Sequence, residues 1–199
     1  MKYLVVSDIH GSLSGARCVP ECLAYHKADR ILCLGDILYH GPRNDLPEDY
    51  APKDVIQIMN PLADAIVAVR GNCDAEVDQM VLDFPLTADY NILFSKGQKI
   101  FMSHGHVYYP DHLPHLAKGD IFLSGHTHIP TAKKKDGIYL LNPGSTGIPK
   151  GGWPASYGLI ADRCFTVYTL AHKELMMVPS LPLQFILPMI GQHIHPLHR

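Results

Sequence analysis

The sequence lacks the features that mark membrane, fibrous and disordered proteins. No apolar stretch reaches the about 18 residues that a membrane-spanning helix needs. The apolar start at residues 1–6 is too short for a signal peptide, so we expect a cytoplasmic protein with no membrane partner. Of the 199 residues, 47% are hydrophobic and 18% are charged. This composition suits one ordinary globular domain with a sizeable core.

Excess charge and a cysteine framework are also missing. The chain has 17 Lys and Arg against 19 Asp and Glu, a formal net charge of −2. Such a balance provides no global field for a nucleic-acid backbone, so nucleic acid is not an expected partner. The five cysteines have no paired spacing, which indicates reduced thiols in a reducing compartment. By contrast, the 13 histidines are unusually many.

The first half of the chain shows the alternating pattern of βαβ units. Strands are predicted at 2–7, 30–34 and 66–69, and helices at 13–28, 53–64 and 74–83. Pro20 and Pro61 are expected to kink or shorten two of these helices. In open α/β sheets, ligands gather at the carboxyl ends of the strands. The polar turns after the three strands are therefore expected to converge on one site.

After residue 88 the pattern changes to short strands joined by tight turns. These strands are predicted at 90–94, 99–103, 121–125, 138–142, 157–160 and 165–170. Asp136-Gly137 is typical of a hairpin turn, and Asn142-Pro143-Gly144-Ser145 of a type II turn. One α/β domain of two packed sheets flanked by helices fits this order of elements best.

The end of the chain differs from the rest. We assign residues 1–173 to the main domain and residues 174–199 to an apolar, proline-containing strand and arm of the same domain. Exposed apolar patches are disfavoured, so the arm is expected to pack on its own domain or on a partner subunit. A homo-oligomer is therefore among the expected partners.

Oxygen and nitrogen donors stand at the predicted strand ends. They are Asp8, His10, Asp36, Asn72, His104, His126 and His128. Seven donors are too many for one ion, and structural zinc sites prefer four ligands rich in cysteine. The set therefore predicts a pair of ions with open positions. Such a pair, about 3.5 to 4 Å apart, suits phosphoryl displacement because it contacts both the attacking and the leaving oxygen.

Local spacing is compatible with a shared site. Asp8 and His10 are two residues apart, as are His126 and His128, so in extended backbone both members of each pair point the same way. A single strand-end histidine more often has only a structural role, but seven donors at strand ends point to one site. Mixed oxygen and nitrogen ligands favour Mn, Fe or Zn over Mg or Ca.

Five blocks of the sequence resemble, in order, those of the calcineurin-like metallophosphoesterases. The blocks are Asp8-Ile9-His10, Gly35-Asp36, Gly71-Asn72, His104-Gly105 and Gly125-His126-Thr127-His128. The resemblance covers about residues 1–170. Residues 7–12, 40–44, 70–74 and 148–152 further resemble the small bacterial YfcE-type phosphodiesterases.

The resemblance implies a four-layer α/β/β/α sandwich of two mixed β-sheets flanked by helices. It implies one metal on Asp8, His10 and His128, a second on Asn72, His104 and His126, and Asp36 as the bridge. Mn²⁺ is the expected metal, with Zn²⁺, Fe²⁺ and Ni²⁺ as alternatives. The implied activity is that of a metal-dependent phosphoric diester hydrolase, in which a hydroxide between the metals attacks a small phosphodiester. Asp36 and Asn72 then also count as catalytic residues.

Two further residues are expected to act on the substrate. Many family members have a histidine after the Gly-Asn pair that helps to protonate the leaving oxygen, but this sequence has Cys73. A neutral thiol is a poor substitute, so we expect diesters and good leaving groups to be favoured over ordinary phosphomonoesters. Arg43 is the candidate for a contact to the substrate phosphate. A surface salt bridge or a dimer contact is the alternative for Arg43.

The main alternative is a protein-binding scaffold with little catalysis. The same fold resembles that of the retromer scaffold subunit, whose phosphoesterase-like domain serves mainly for protein contacts. A scaffold does not need every metal ligand, and all seven are here, so the enzyme is the favoured interpretation. A nuclease would need a basic channel or further domains, which the charge balance and length do not suggest.

Overall fold

The computed structural model describes residues 1–95 and 98–182. Within these ranges the strands are β1 Tyr3–Val6, β2 Arg30–Cys33, β3 Ile66–Ala68, β4 Tyr90–Ser95, β5 Gln98–Ser103, β6 Ile121–Leu123, β7 Thr131–Lys135, β8 Ile138–Asn142, β9 Ser156–Ala161, β10 Cys164–Thr169 and β11 Glu174–Val178. The helices are α1 Leu13–His26, α2 Pro52–Met59, α3 Glu76–Gln79 and a 3-10 helix at Asn60–Ala65. None of these helices is long and apolar enough to cross a membrane.

The strands form two mixed sheets. The first has the order β11-β10-β9-β1-β2-β3, and the second has the order β4-β5-β6-β8-β7. Strands β1, β2 and β3 run parallel, as do β5, β6 and β8, whereas the remaining pairs are antiparallel. The predicted fold of two mixed sheets flanked by helices is therefore confirmed.

Apolar side chains fill the spaces between the layers. Val5 and Leu32 of the first sheet belong to the same buried cluster as Met102 and Leu123 of the second. The other face of the first sheet packs against α1 and α2. On the outer face of the second sheet, residues 105–119 form the covering layer, and this segment contains no helix. Burial of these apolar faces provides the main stabilisation of the sandwich.

The prolines in the predicted helices behave differently from one another. Helix α1 continues through Pro20 to His26, so this helix does not end at its proline. Ala16, Val19 and Cys22 keep one face of this helix buried, and that packing outweighs the missing backbone donor. Pro61 does end a helix as predicted, because α2 changes at Asn60 into the 3-10 helix.

Two elements differ from the sequence prediction. The helix predicted at 74–83 shrinks to α3, because the side chain of Gln79 bonds the backbone of Leu82, Phe84 and Leu86 in place of further helical turns. Strand β7 was not predicted, because Lys133–Lys135 is charged. This strand is a sheet edge, where charged side chains commonly lie. The predicted edge strand near residue 174 is confirmed as β11, and the arm at 183–199 lies outside the described residues.

Candidate metal centre

The seven predicted donors stand in the turns that follow parallel strands. Asp8 and His10 follow β1, and Asp36 and Asn72 follow β2 and β3. In the second sheet, His104 follows β5, and the turn after β6 carries His126 and His128. The carboxyl ends of both sets of strands meet at one edge of the sandwich, as expected for ligand sites in α/β sheets.

The backbone of these turns is left-handed at most donor positions. Asp8, His10, Asp36, His126 and His128 have φ angles of 55°, 50°, 56°, 66° and 59°. The extended geometry inferred from the two-residue spacing is therefore wrong, because turns place these side chains. A left-handed conformation costs a residue other than glycine roughly 1–3 kcal/mol. Backbone hydrogen bonds hold the strain in place, including His10 N–H to the Asp36 carbonyl at 2.9 Å.

One group of donors surrounds the free oxygen of Asp8. The Nε2 atom of His128 lies 3.3 Å from Oδ1 of Asp8, and Nε2 of His10 lies 3.6 Å from the same oxygen. The two histidine Nε2 atoms are 3.3 Å apart. All three side chains are buried. Three ligand atoms converge here within the dimensions of a cation site.

A second group surrounds His104. Its Nε2 atom lies 3.0 Å from Oδ1 of Asn72, 3.2 Å from Nδ1 of His126 and 3.3 Å from Oδ2 of Asp36. The same Asp36 oxygen lies 3.5 Å from Nε2 of His10 in the first group. Asp36 Oδ2 therefore stands between the two groups, and the structure brings all seven predicted donors together.

Backbone carbonyls orient three of the histidines. The Nδ1–H groups of His10 and His104 donate to the carbonyls of Tyr39 and Leu34, each at 2.7 Å. His128 donates in the same way to Ile148. These bonds leave the Nε2 lone pairs directed at the centre, which is the usual arrangement around a metal-binding histidine.

In Asp8, one carboxylate oxygen accepts hydrogen bonds from the protein and the other is directed at the centre. Oδ2 of Asp8 accepts hydrogen bonds from the Ser7 hydroxyl and the His126 N–H, at 2.6 and 3.0 Å. Oδ1 of Asp8 is buried without a hydrogen-bond partner. A buried carboxylate oxygen without a partner is costly unless a cation binds it. The donor set thus fits divalent metal ions.

The charges of these side chains also favour a cation at the centre. Burial favours the neutral form of Asp8, but the adjacent imidazole of His10 and the charges of His104 and His128 outweigh burial and lower its pKa. For His104, burial opposes the charged form, but the Asp36 hydrogen bond and the charges of Asp8 and Asp36 raise its pKa to about 9. The two buried carboxylates therefore create a demand for positive charge.

Asp74 supports the turns of the centre, and the sequence reasoning did not single it out. Its buried carboxylate accepts the N–H groups of Asp36 and Gly71, each at 2.7 Å, and that of Ile37 at 2.9 Å. Burial and the charge of Asp36 raise its pKa to about 6. Asp74 fixes the turn after β2 against the turn after β3. Its place directly after Asn72-Cys73 in the 70–74 block was the available signal.

An open cavity of about 660 Å³ lies over the centre. Arg43 and Cys73, the two residues predicted to act on the substrate, both line it. Cys73 Sγ accepts a hydrogen bond from the Asn72 amide at 3.2 Å. Burial and the charge of Asp36 raise the pKa of this thiol to about 12, so it stays neutral near pH 7.

Lys150 also lines the cavity and was not predicted as a site residue. It lies on the loop after the Pro143-Gly144 turn, and the Ser145 hydroxyl fixes that loop to the Asp8 carbonyl at 2.7 Å. The same hydroxyl accepts the N–H groups of Gly147 and Ile148. Arg43 and Lys150 thus place two cationic side chains at the cavity.

Comparison with known proteins is consistent with this geometry. The profile of the calcineurin-like phosphoesterase superfamily domain matches residues 1–162. The chain is 46% identical over 176 residues to phosphodiesterase YfcE of Escherichia coli K12, covering 88% of this chain and 96% of that one.

Solved structures also share this fold. The structure of YfcE, a phosphoesterase from E. coli, superposes with a TM-score of 0.88 at 45% identity, covering 90% of this chain and all of that one. Vps29 of Chaetomium thermophilum superposes with a TM-score of 0.58 at 18% identity, covering 92% of this chain and all of that one. The second similarity extends to the fold alone.

Proposed function

The chain belongs to the calcineurin-like phosphoesterase superfamily, and we propose that it is a metal-dependent phosphodiesterase that acts at the described centre. The observation that carries this proposal is the convergence of seven donors in two adjoining groups, one of which surrounds a buried Asp8 oxygen that has no hydrogen-bond partner. The 46% identity to a phosphodiesterase over most of both chains supports the same activity.

We assign two cations to the seven donors. Asp8, His10 and His128 would hold one cation, and Asn72, His104 and His126 would hold the other. Asp36, whose Oδ2 faces both His10 and His104, would be shared by the two. Carboxylate, amide and imidazole ligands together suit Mn²⁺, which we propose as the native metal over Zn²⁺, Fe²⁺ and Ni²⁺.

When bound, the two cations supply a nucleophile at neutral pH and neutralise charge on the phosphoryl group. Arg43 and Lys150 bind the non-bridging phosphate oxygens from the cavity wall. Ser7, Ser103 and Ser145 are not placed to attack, since the hydroxyls of Ser7 and Ser145 donate to Asp8 and that of Ser103 donates to the Asp89 carbonyl.

Cys73 determines which leaving groups are suitable. Its thiol lines the cavity but is too weak an acid to protonate a departing alkoxide at neutral pH. The enzyme should therefore cleave small diesters with stable leaving groups and hydrolyse ordinary phosphomonoesters slowly. A scaffold role is the less supported alternative, because the similarity to Vps29 extends to the fold alone.

The cellular location, the domain assignment and the partners are also part of the proposal. All five cysteines are free thiols, which supports a cytoplasmic location. We propose that residues 174–199 belong to the same domain as residues 1–173. Nucleic acid is not proposed as a substrate, because the net charge of −2 provides no general attraction to a polyanion. Tyr90, Ile92 and Phe94 are exposed on edge strand β4 and support self-association.

The test is hydrolysis of bis-p-nitrophenyl phosphate and p-nitrophenyl phosphate by metal-stripped protein, with and without Mn²⁺. We expect Mn²⁺ to restore turnover of the diester, and Asp36→Asn to abolish it. Asp64→Asn, an exposed change on the 3-10 helix, should keep full turnover. A folded protein that turns over no diester with any divalent metal would contradict the proposal and favour the scaffold.

A further inference from the structure

A second cleft adjoins the metal cavity. It has a volume of about 350 Å³, and its apolar walls are Leu38, Tyr39, Tyr50, Pro52 and Val77. Tyr39, Cys73 and Ala75 line both the cleft and the metal cavity, so the two spaces are neighbours that share a wall. A molecule bound at the metals can therefore extend past Cys73 into the cleft.

The walls of the cleft are fixed to the turn that carries His10. The Tyr39 carbonyl accepts the Nδ1–H of His10 at 2.7 Å. The Tyr50 ring lies directly against Gly11, where any side chain would collide with it, and Tyr50 forms an isolated β-bridge with Ser12. The distance from the cleft to the metal ligands is thus set by short bonded connections, which is what a substrate subsite requires.

The chemistry of the cleft differs from that of the metal cavity. Tyr39 is 43% exposed and Val77 is 61% exposed, so apolar surface faces the solvent here. Among the described residues that line the cleft, Asp78 is the one charged side chain, whereas Arg43 and Lys150 line the metal cavity. Asp78 repels an anionic group, and the tyrosine rings favour stacking with another ring.

Building on the proposed phosphodiesterase, we propose that this cleft binds a neutral aromatic ester group of the substrate. The substrate class is then phosphodiesters that have an uncharged aromatic ring on one arm, with the phosphate at the metals and Arg43. Cys73 has a small side chain, which leaves room between the phosphate and the ring.

The test compares two phosphonates that cannot be hydrolysed at their P–C bond. Calorimetry measures binding of benzylphosphonate and methylphosphonate to the Mn²⁺-loaded protein. Stacking on an aromatic side chain contributes enough to make benzylphosphonate bind about tenfold tighter. Equal affinities for the two phosphonates would overturn the proposal.

Variants of Tyr39 test whether the affinity difference between the two phosphonates arises in the cleft. Tyr39→Ala should reduce the ratio of the two affinities towards one, and Tyr39→Phe should keep the ratio. Tyr90→Ala is the matched control, because Tyr90 is 47% exposed on strand β4 and does not line the cleft. An unchanged ratio in Tyr39→Ala would contradict the proposal.

A second pair of variants changes two exposed valines, where a substitution should not disturb folding. Val77→Ser should also lower the ratio, whereas Val81→Ser, at an exposed position outside the cleft, should not. Turnover of bis-p-nitrophenyl phosphate is measured on the same samples. Absent turnover contradicts the phosphodiesterase itself, whereas normal turnover with equal phosphonate affinities contradicts only the aromatic subsite.

Discussion

The carboxylate of Asp74 accepts a hydrogen bond from the backbone N–H of Asp36 at 2.7 Å, with both residues buried. Asp36 is the proposed bridge between the two cations, so the position of this bridge depends on a residue that is not itself a proposed ligand. Asp74 also accepts the N–H groups of Ile37 and Gly71, so one carboxylate connects the turns after β2 and β3. This dependence of the centre on supporting bonds can be tested.

Asp74→Asn should weaken metal binding. The asparagine amide has one acceptor oxygen where the carboxylate has two. Its NH₂ group would therefore face a backbone N–H that then has no acceptor, which costs about 1–3 kcal/mol of stability. We expect a lower melting temperature and a lower Mn²⁺ affinity by calorimetry. Asp64→Asn is the control. Mn²⁺ affinity equal to that of the unsubstituted protein would show that Asp74 does not position Asp36.

Arg43→Ala should reduce kcat/KM for bis-p-nitrophenyl phosphate by roughly tenfold, as expected for losing one charged hydrogen bond to phosphate. Metal content, measured in parallel, should not change, because Arg43 is exposed at the cavity wall. Arg17→Ala, an exposed change on α1, provides the comparison. If Arg43→Ala and Arg17→Ala have the same kinetics, the surface-contact alternative for Arg43 is correct.

Cys73→His should raise turnover of phosphomonoesters with poor leaving groups. An imidazolium ion has a pKa of about 6.5 and can protonate a leaving alkoxide, whereas the pKa of the Cys73 thiol is raised to about 12. The measurement is phosphate release from an alkyl monophosphate by Mn²⁺-loaded protein. Cys164→His, on β10, is the control. No gain in Cys73→His with metals bound would mean that Cys73 is not the cause of slow monoester hydrolysis.

The location of the site could be predicted from the sequence, because it depends on local rules. Polar residues directly after apolar runs stand at strand ends, and parallel strands end at one edge of a sheet. His104 and Asn72 are 32 residues apart in the chain, yet this rule brings their side chains to 3.0 Å.

The orientation of the donors and their support could not be predicted. The left-handed backbone conformation of Asp8 and His128 depends on hydrogen bonds from turns that are distant in sequence. The two-residue spacing of the donors therefore could not predict it. Lys150 lines the cavity because the Ser145 hydroxyl ties its loop to Asp8, 137 positions away in sequence. Helix α3 is short for a similar reason, since Gln79 competes with the helix for backbone groups.

In the proposed reaction, two cations held by these seven side chains act together. The most direct test titrates metal-stripped protein with Mn²⁺ and records bound metal and bis-p-nitrophenyl phosphate turnover at each step. We expect turnover to appear as the second equivalent binds, and we expect Asp36→Asn, which lacks the shared carboxylate, to stay inactive at every Mn²⁺ concentration. Full turnover with one equivalent bound, or none with two equivalents bound to folded protein, would contradict this proposal.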